Sequence, residues 1–424
     1  MLVYVINKNG KPLMPCKPQK AKKLLKNNKA KIVNRTPFTI QLIHGSSGYT
    51  QPITLGIDAG SKIVGVSATT EDEELYSSEA TLRNDIVDLL ATRASLRRAR
   101  RNRKTRYRQP RFLNRKKPKG WLAPSVQHKI DSHLRLVRDV HRILPISKIV
   151  VEVASFDIQK IRNPDISGTG YQQGEQLNFW NVREYVLWRD GHKCQHCKGK
   201  TGDKVLNVHH IESRKTGGDA PNNLITLCKT CHDKHHKGEI ELKVKRGASY
   251  KDAAFMGIMR WAFYGKLREL YVDVSLTYGY ITKNTRIRQG LDKSHQTDAF
   301  CITGNTFAKR IGTWYKQKFV RRSNRQLHKA TIGKGGVRKA NQAAKYVFGF
   351  QLFDKVKVLC TGEIGFVFGR RTAGSFDVRK LDGTKISAGI SYKKLRLLET
   401  RTTILTDIMQ AASTSRLKEG VSAA

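Results

Sequence analysis

Short apolar runs broken by turn residues open the chain. VYVIN (3–7) has the pattern of a strand, GKPLMPC (10–16) of a turn, and PQKAKKLLKNNKAKIV (18–33) of a basic helix running into a strand; TPFTIQLI (36–43) alternates once more. ITLGIDAG and SKIVGVSATT flank a Gly-Ser turn and predict a hairpin with Asp58 at the end of its first strand. SVQHKIDSHLRLVRDVHRILP (125–145) repeats apolar positions at helical spacing and stops at Pro145, and ISKIVVEVASF (146–156) predicts a buried strand carrying Glu152. A glycine-rich stretch, 168–174, has the composition of a linker. Beyond it the pattern predicts a helix over 255–271, a strand over 272–282 and a helix over 294–307. Short strands between turns from 353 to 398 suggest a small SH3-like barrel.

Charge changes the picture most. Lys+Arg 80 against Asp+Glu 34 gives a formal net charge of +46 over 424 residues, far more than solubility requires. Such a chain repels itself unless a polyanion neutralises it, which points to nucleic acid rather than to a merely basic enzyme. The excess is concentrated: from Arg93 to Lys117 there are thirteen Lys or Arg and no carboxylate. The segment 82–118 begins as an amphipathic helix and becomes almost wholly basic. A solvated helical face normally mixes signs to gain i,i+4 pairs, and a disordered basic tail would not continue a helical pattern in mid-chain. A helix laid along phosphates fits better, with Arg93, Arg97, Arg98, Arg100, Arg101, Arg103, Lys104, Arg106 and Arg108 as the contacts.

Seven cysteines, four of them in Cys-x-x-Cys spacings, indicate metal ligands in a reducing compartment rather than a disulfide framework. The opening MLVYVINKNG lacks the basic-then-apolar order of a signal peptide, and no apolar run approaches the ~20 residues that span a bilayer. A cytoplasmic, nucleic-acid-associated protein without membrane contact is expected.

Two sets of residues carry chemistry. The first is Asp58, Glu152, His295 and Asp298, in LGIDAG, IVVEVAS and KSHQTDAF. Carboxylates at strand ends and on a facing helix can hold two Mg²⁺ ions that stabilise the attacking and leaving oxygens of a phosphoryl displacement. His295 and Asp298, at i,i+3, share one helix face, so one can position or deprotonate water while the other holds metal. Each fragment alone has an ordinary explanation, a turn or an edge glutamate. All three in order resemble the split RuvC/RNase H-like nuclease over about 54–84, 121–170 and 265–305.

The second set interrupts the first. Cys194, Cys197, Cys228 and Cys231 form two knuckles that suit a closed tetrahedral Zn²⁺ site, where metal supplies folding energy to a loop-rich stretch. Between and beyond them, His209, His210, Asn223, His232 and His236 resemble the HNH (ββα-metal) endonuclease motif. Adjacent residues on a strand point to opposite faces, so His209 and His210 cannot share a task. The resemblance implies His209 as a Mg²⁺ ligand, His210 as the general base, Asn223 orienting the loop behind it, and His232 with His236 completing the metal site; the plain alternative is extra zinc-binding or surface histidines.

An HNH module within a split RuvC fold, preceded by an arginine-rich helix, resembles the IscB family of transposon-encoded, RNA-guided DNA endonucleases, compact relatives of the type II CRISPR effectors. Pro12, Leu13, Met14 and Pro15 match the family's N-terminal motif. The resemblance implies an α/β protein: a PLMP domain (1–53), RuvC-like segments (54–84, 121–173 and 251–310), a bridge helix (85–120), an inserted HNH domain with zinc knuckles (174–250), a basic connecting or wedge region (311–350) and a small C-terminal β-barrel-like domain reading a target-adjacent motif (351–424). It also implies a structured guide RNA (ωRNA), one protein per RNA, double-stranded target DNA, two Mg²⁺ in the RuvC-like site, one in the HNH site, and one cut strand for each site. Between Lys117 and Glu152 there is room only for a helix and a strand, so no large helical recognition lobe is expected. Two rivals are an unguided HNH nickase or junction resolvase, and an RNA-binding scaffold with inactive nuclease folds.

Overall fold

The computed structural model describes residues 2–101, 120–153, 176–214, 218–245, 247, 251–323, 331–332, 338–339 and 344–410. The chain divides into two units, Met1–Ala154 with Ile258–Ala424, and Ser155–Gly257. The expected linker 168–174 and the basic positions Arg103, Lys104, Arg106 and Arg108 lie outside the described residues, as do the side chains of Arg100 and Arg101. Among the described residues no helix is long and apolar enough to cross a membrane.

The first unit opens with strands β1 (Val3–Ile6), β2 (Pro12–Cys16), β3 (Ala30–Asn34) and β4 (Thr39–Leu42) in the order β2-β1-β4-β3, with helix α1 (Pro18–Lys26) between β2 and β3. Val3, Val5, Ala21, Ile40 and Leu42 form its core. The Pro-Leu-Met-Pro segment, expected as a turn, is instead an edge strand. Proline lacks the N–H that a central strand must donate, and an edge strand has one side free of that demand. The tight turn falls earlier, where Asn7 Oδ1 accepts from Asn9 N and Lys11 N at 2.9 Å and Gly10 adopts φ 79°.

A seven-stranded sheet forms the centre: β5 (Thr54–Asp58), β6 (Ile63–Thr69), β7 (Glu74–Thr81), β8 (Lys148–Val153), β11 (Val274–Tyr278), β12 (Thr313–Phe319) and β20 (Ile404–Gln410), ordered β11-β8-β5-β6-β7-β12-β20. β11, β8 and β5 run parallel, β5-β6-β7 form an antiparallel meander, β12 lies parallel to β7, and β20 closes the edge antiparallel to β12. The last two strands come from stretches that the resemblance assigned to a connecting region and a C-terminal domain. Helix α3 (Pro124–His141) buries Val126, Ile130, Leu134, Val137 and Val140, spaced three or four residues apart. Helix α2 (Ile86–Arg101) behaves differently: every residue from Ala91 to Arg98 is exposed, Leu96 included.

Helix α6 (Lys251–Leu270) precedes β11, and the strand expected over 272–282 ends at Tyr278, where helix α7 (Gly279–Arg288) begins. β11 follows β8 residue for residue up to Tyr278 opposite Val153. Helix α8 (His295–Ile302) starts at Ser294, whose Oγ accepts from Thr297 N at 3.2 Å. It lies directly on β5 and β6. A Cβ at Gly56 would collide with the carbonyl oxygen of Ala299, and one at Gly65 with that of His295. Arg310, which donates to buried Glu74 at 2.6 Å, stacks its guanidinium over Phe300 of α8 at 4.5 Å.

After a two-residue pair, β13 (Thr331–Ile332) with β14 (Arg338–Lys339), the C-terminal strands β15 (Lys355–Val358), β16 (Ile364–Arg370), β17 (Ser375–Arg379), β18 (Lys385–Ser391) and β19 (Leu395–Glu399) make an antiparallel sheet ordered β18-β17-β16-β15-β19. One apolar cluster takes Val356, Val367, Phe376, Ile390 and Leu395 from all five strands, so the sheet curls around a shared core. β18 buries only Ile390.

The second unit holds helix α4 (Val182–Arg189), the antiparallel pair β9 (Leu206–His210) and β10 (Leu224–Cys228), and helix α5 (Lys229–His236). Tyr185, Val186 and Leu224 form one small cluster, and Ile225 and Leu227 pack with three of the cysteines in another.

Candidate active sites

In the second unit, Cys194 and Cys197 sit on the turn after α4, which closes through Lys198 N donating to Cys194 O at 2.9 Å. Cys228 ends β10 and caps α5, and Cys231 lies in the first turn of that helix. The four sulfurs all lie within 4.8 Å of one another. Four thiol donors at that spacing suit a structural Zn²⁺, and the small core around them needs such a clamp.

The strand pair places the adjacent histidines as alternation requires. His209 turns toward α5, where it, His232 and His236 bring ring nitrogens within 4.8 Å of one another, with His232 Nε2 and His236 Nε2 3.3 Å apart. Burial, then the charges of His235, His232 and His236, pushes His209 down to about 4, so its ring is neutral and able to bind a cation at neutral pH. Three imidazoles at that spacing suit a divalent metal ion.

His210 faces the other way, with Nε2 2.9 Å from Asp219 Oδ1, and Asp219 in turn pairs with Arg214 at 2.8 Å. Neither Asp219 nor Arg214 was picked out from the sequence. They stand at no motif spacing, and only the fold brings them to His210. Asn223 is fully buried, its Nδ2 donating to the carbonyls of Glu212 and Gly218 at 3.0 and 2.9 Å and its Oδ1 accepting from Glu212 N at 2.9 Å. It fastens the loop that carries Asp219.

In the first unit, Asp58 ends β5, Glu152 lies near the end of the neighbouring β8, and α8 carries His295 and Asp298 across the same strand ends. His295 Nδ1 meets Asp58 Oδ2 at 2.6 Å, and this contact raises the histidine's pKa. Glu152 and Asp298 are both pushed up, first by burial and next by the negative charge of Asp58. Such mutual repulsion is a demand for cations, and hard carboxylate oxygens suit Mg²⁺. Two arginines answer part of it. Arg260 Nη1 lies 3.2 Å from Glu152 while Nη2 approaches Asp58 at 4.0 Å and Nε donates to Ala59 O at 2.9 Å; Arg286 Nε lies 2.8 Å from Asp298. The sequence signalled neither, because arginine is too common here to stand out.

Comparison with known proteins separates these sites. Residues 194–238 match the HNH endonuclease family. Residues 3–174 match a family described as RRXRR protein. The chain therefore carries an HNH endonuclease domain, the mark of a nuclease. Anaredoxin of Nostoc sp. strain PCC 7120 is 44% identical over 41 residues, which are 9% of this chain and 54% of that protein, so the chain spans about half the length of this curated relative. Crystal structures of Streptococcus thermophilus Cas9 in complex with AGGA and AGAA PAM each align at 14% identity with a TM-score of 0.29, over 43% of this chain and 26% of theirs.

The basic run is placed in part. Arg93, Arg97 and Arg98 stand exposed on α2, which continues to Arg101.

Proposed function

We propose that this protein is an RNA-guided DNA endonuclease of the IscB kind, cutting the guide-paired strand with its HNH site and the displaced strand with the carboxylate site. The observation that carries the two-site reading is the convergence of Asp58, Glu152, His295 and Asp298 at adjoining strand ends in a unit separate from the HNH domain. The sheet around them, a β5-β6-β7 meander with β8 and β11 parallel alongside, is consistent with an RNase H-like core split by the HNH insertion. The guide is inferred from the resemblance of the whole chain, from its charge of +46, and from a helix, α2, whose residues Ala91 to Arg98 are all exposed.

In the HNH site, His210 accepts the proton of the attacking water at Nδ1, while Asp219 holds Nε2 and so fixes the ring's tautomer and orientation. Asn223 keeps the intervening loop in register. A divalent ion held by His209, His232 and His236 would supply charge stabilisation to the phosphate and leaving oxygen. In the other site, Asp58, Glu152 and Asp298 would hold Mg²⁺, and His295, paired to Asp58, positions water or its proton. The C-terminal sheet is assigned the short target-adjacent motif.

Strand-labelled cleavage tests the assignment. Asp58→Ala leaves a nickase for the guide-paired strand, His210→Ala the opposite nickase, and the double variant a programmable binder. Loss of both cuts from Asp58→Ala, in folded protein loaded with RNA, would overturn the two-site reading. Nicking without any co-purified discrete RNA would favour an unguided nickase.

A further inference from the structure

The end of β11 carries a pair of rings that the proposed chemistry does not use. Tyr278 and Tyr280 lie with their planes 11° apart and centroids 6.2 Å apart, and they are 40% and 66% exposed. Between them, Gly279 packs on the candidate catalytic carboxylate: a Cβ there would stand 3.4 Å from Glu152 Oε1. Thr277, one residue before the pair, sits opposite Glu152 in the parallel register of β11 and β8, and Thr282, two residues after it, donates its hydroxyl back to the carbonyl of Tyr278 at 3.5 Å. Two exposed aromatic rings therefore flank the glycine that packs on the site's glutamate.

We propose that Tyr278 and Tyr280 form a stacking platform that seats an unpaired base of the DNA strand whose phosphate enters the carboxylate site. The proposal rests on the reading of that site as a nuclease centre. A nuclease acting on a displaced strand must hold it without reading its sequence, and stacking does so because every base has a π-face. The surroundings have the matching charge. Helix α7, GYITKNTRIR, bears Lys283, Arg286 and Arg288 and no carboxylate; Arg286 is engaged with Asp298, which leaves Lys283 and Arg288, both exposed, on the helix that begins at the rings. Tyrosine suits the place better than phenylalanine, since its hydroxyl stays hydrated when no strand is bound.

The test uses the full chain with the Asp58→Ala and His210→Ala substitutions, so that bound strands stay uncut, and a single-stranded DNA probe containing 2-aminopurine. Stacking quenches the probe. Tyr280→Ala, and more strongly the double change with Tyr278→Ala, should relieve the quench and weaken binding by roughly 5- to 100-fold, whereas Tyr280→Phe should retain both. In the otherwise unsubstituted chain, Tyr280→Ala should slow the cut assigned to the carboxylate site and leave the HNH cut unchanged. The proposal is overturned if the alanine variants keep full quenching and affinity, if Tyr280→Phe behaves like alanine with a matching drop in melting temperature, or if only an RNA probe of the same sequence is quenched. Quenching does not depend on cleavage. Should Asp58→Ala alone leave both cuts intact, the nuclease reading of the site fails while a tyrosine-dependent quench still reports stacking.

Discussion

At the residue scale, the two candidate sites organise their histidines in opposite senses. His295 binds Asp58 through Nδ1 and so reinforces a carboxylate, whereas His210 is held by Asp219 from behind with its other nitrogen left for a proton. Removing the negative charge without changing the shape separates orientation from chemistry. Asp219→Asn should lower the rate of the HNH-strand cut about 10- to 100-fold, the usual range for a partner that orients a site residue, and leave the other strand's cut and the zinc content unaltered. Single-turnover, strand-resolved kinetics read both rates together, and an unchanged HNH rate would remove Asp219 from the mechanism. These residues divide by how they could be found. Cys194, Cys197, Cys228, Cys231 and His209-His210 have a spacing that the chemistry itself dictates. Asp219, Arg260 and Arg286 have none, since each reaches its partner through the fold.

At the scale of elements, α8 is seated by what two strands lack. Gly56 on β5 and Gly65 on β6 leave the backbone oxygens of Ala299 and His295 the only space in which the helix can lie. A methyl at Gly65 must push the start of α8 off the sheet, taking His295 and Asp298 with it. Gly65→Ala should cost about 1–3 kcal/mol by overpacking and cut the carboxylate-site rate on the order of 100-fold, the penalty of an ångström's misplacement. The HNH-strand cut should persist, since that domain folds on its own cluster of cysteines and apolar residues. Thermal unfolding with strand-labelled cleavage checks both halves, and full activity on both strands would show that α8 does not depend on this close approach. The sequence marked Asp58 and Asp298 as strand-end and helix residues; that Gly56 and Gly65 lie directly under the helix is set by the fold.

At the scale of the molecule, the charge and the exposed α2 belong together. A helix of sixteen residues in which every residue from Ala91 to Arg98 is exposed gains little from packing there and is marginal in water by itself. Phosphates would supply what the core does not. Replacing Arg97, Arg98, Arg100 and Arg101 by Gln keeps good helix formers. The log–log salt dependence of RNA binding should then become shallower by about 0.7–0.9 for each phosphate left unneutralised, roughly three for the four arginines together. RNA loading and DNA cleavage should fall together while metal content is unchanged. Filter binding across a salt series decides it, and an unaltered slope would make this run a solvated face.

The sequence alone determined the features that depend on composition and local spacing: the large excess of positive charge, the two Cys-x-x-Cys pairs, the adjacent histidines on a strand, and the order of carboxylates along the chain. Those follow from charge, from ligand chemistry and from the periodicity of helix and strand, and none needs a third dimension. Tertiary structure decided what joins distant segments. It made the Pro-Leu-Met-Pro segment an edge strand, began helix α7 directly after Tyr278, drew Thr313–Phe319 and Ile404–Gln410 into the central sheet, and set Arg260 against Glu152 and Asp219 against His210. Hydrogen-bond partners and countercharges are chosen by proximity in space, and a linear pattern of apolar and polar residues carries no record of which distant group will arrive.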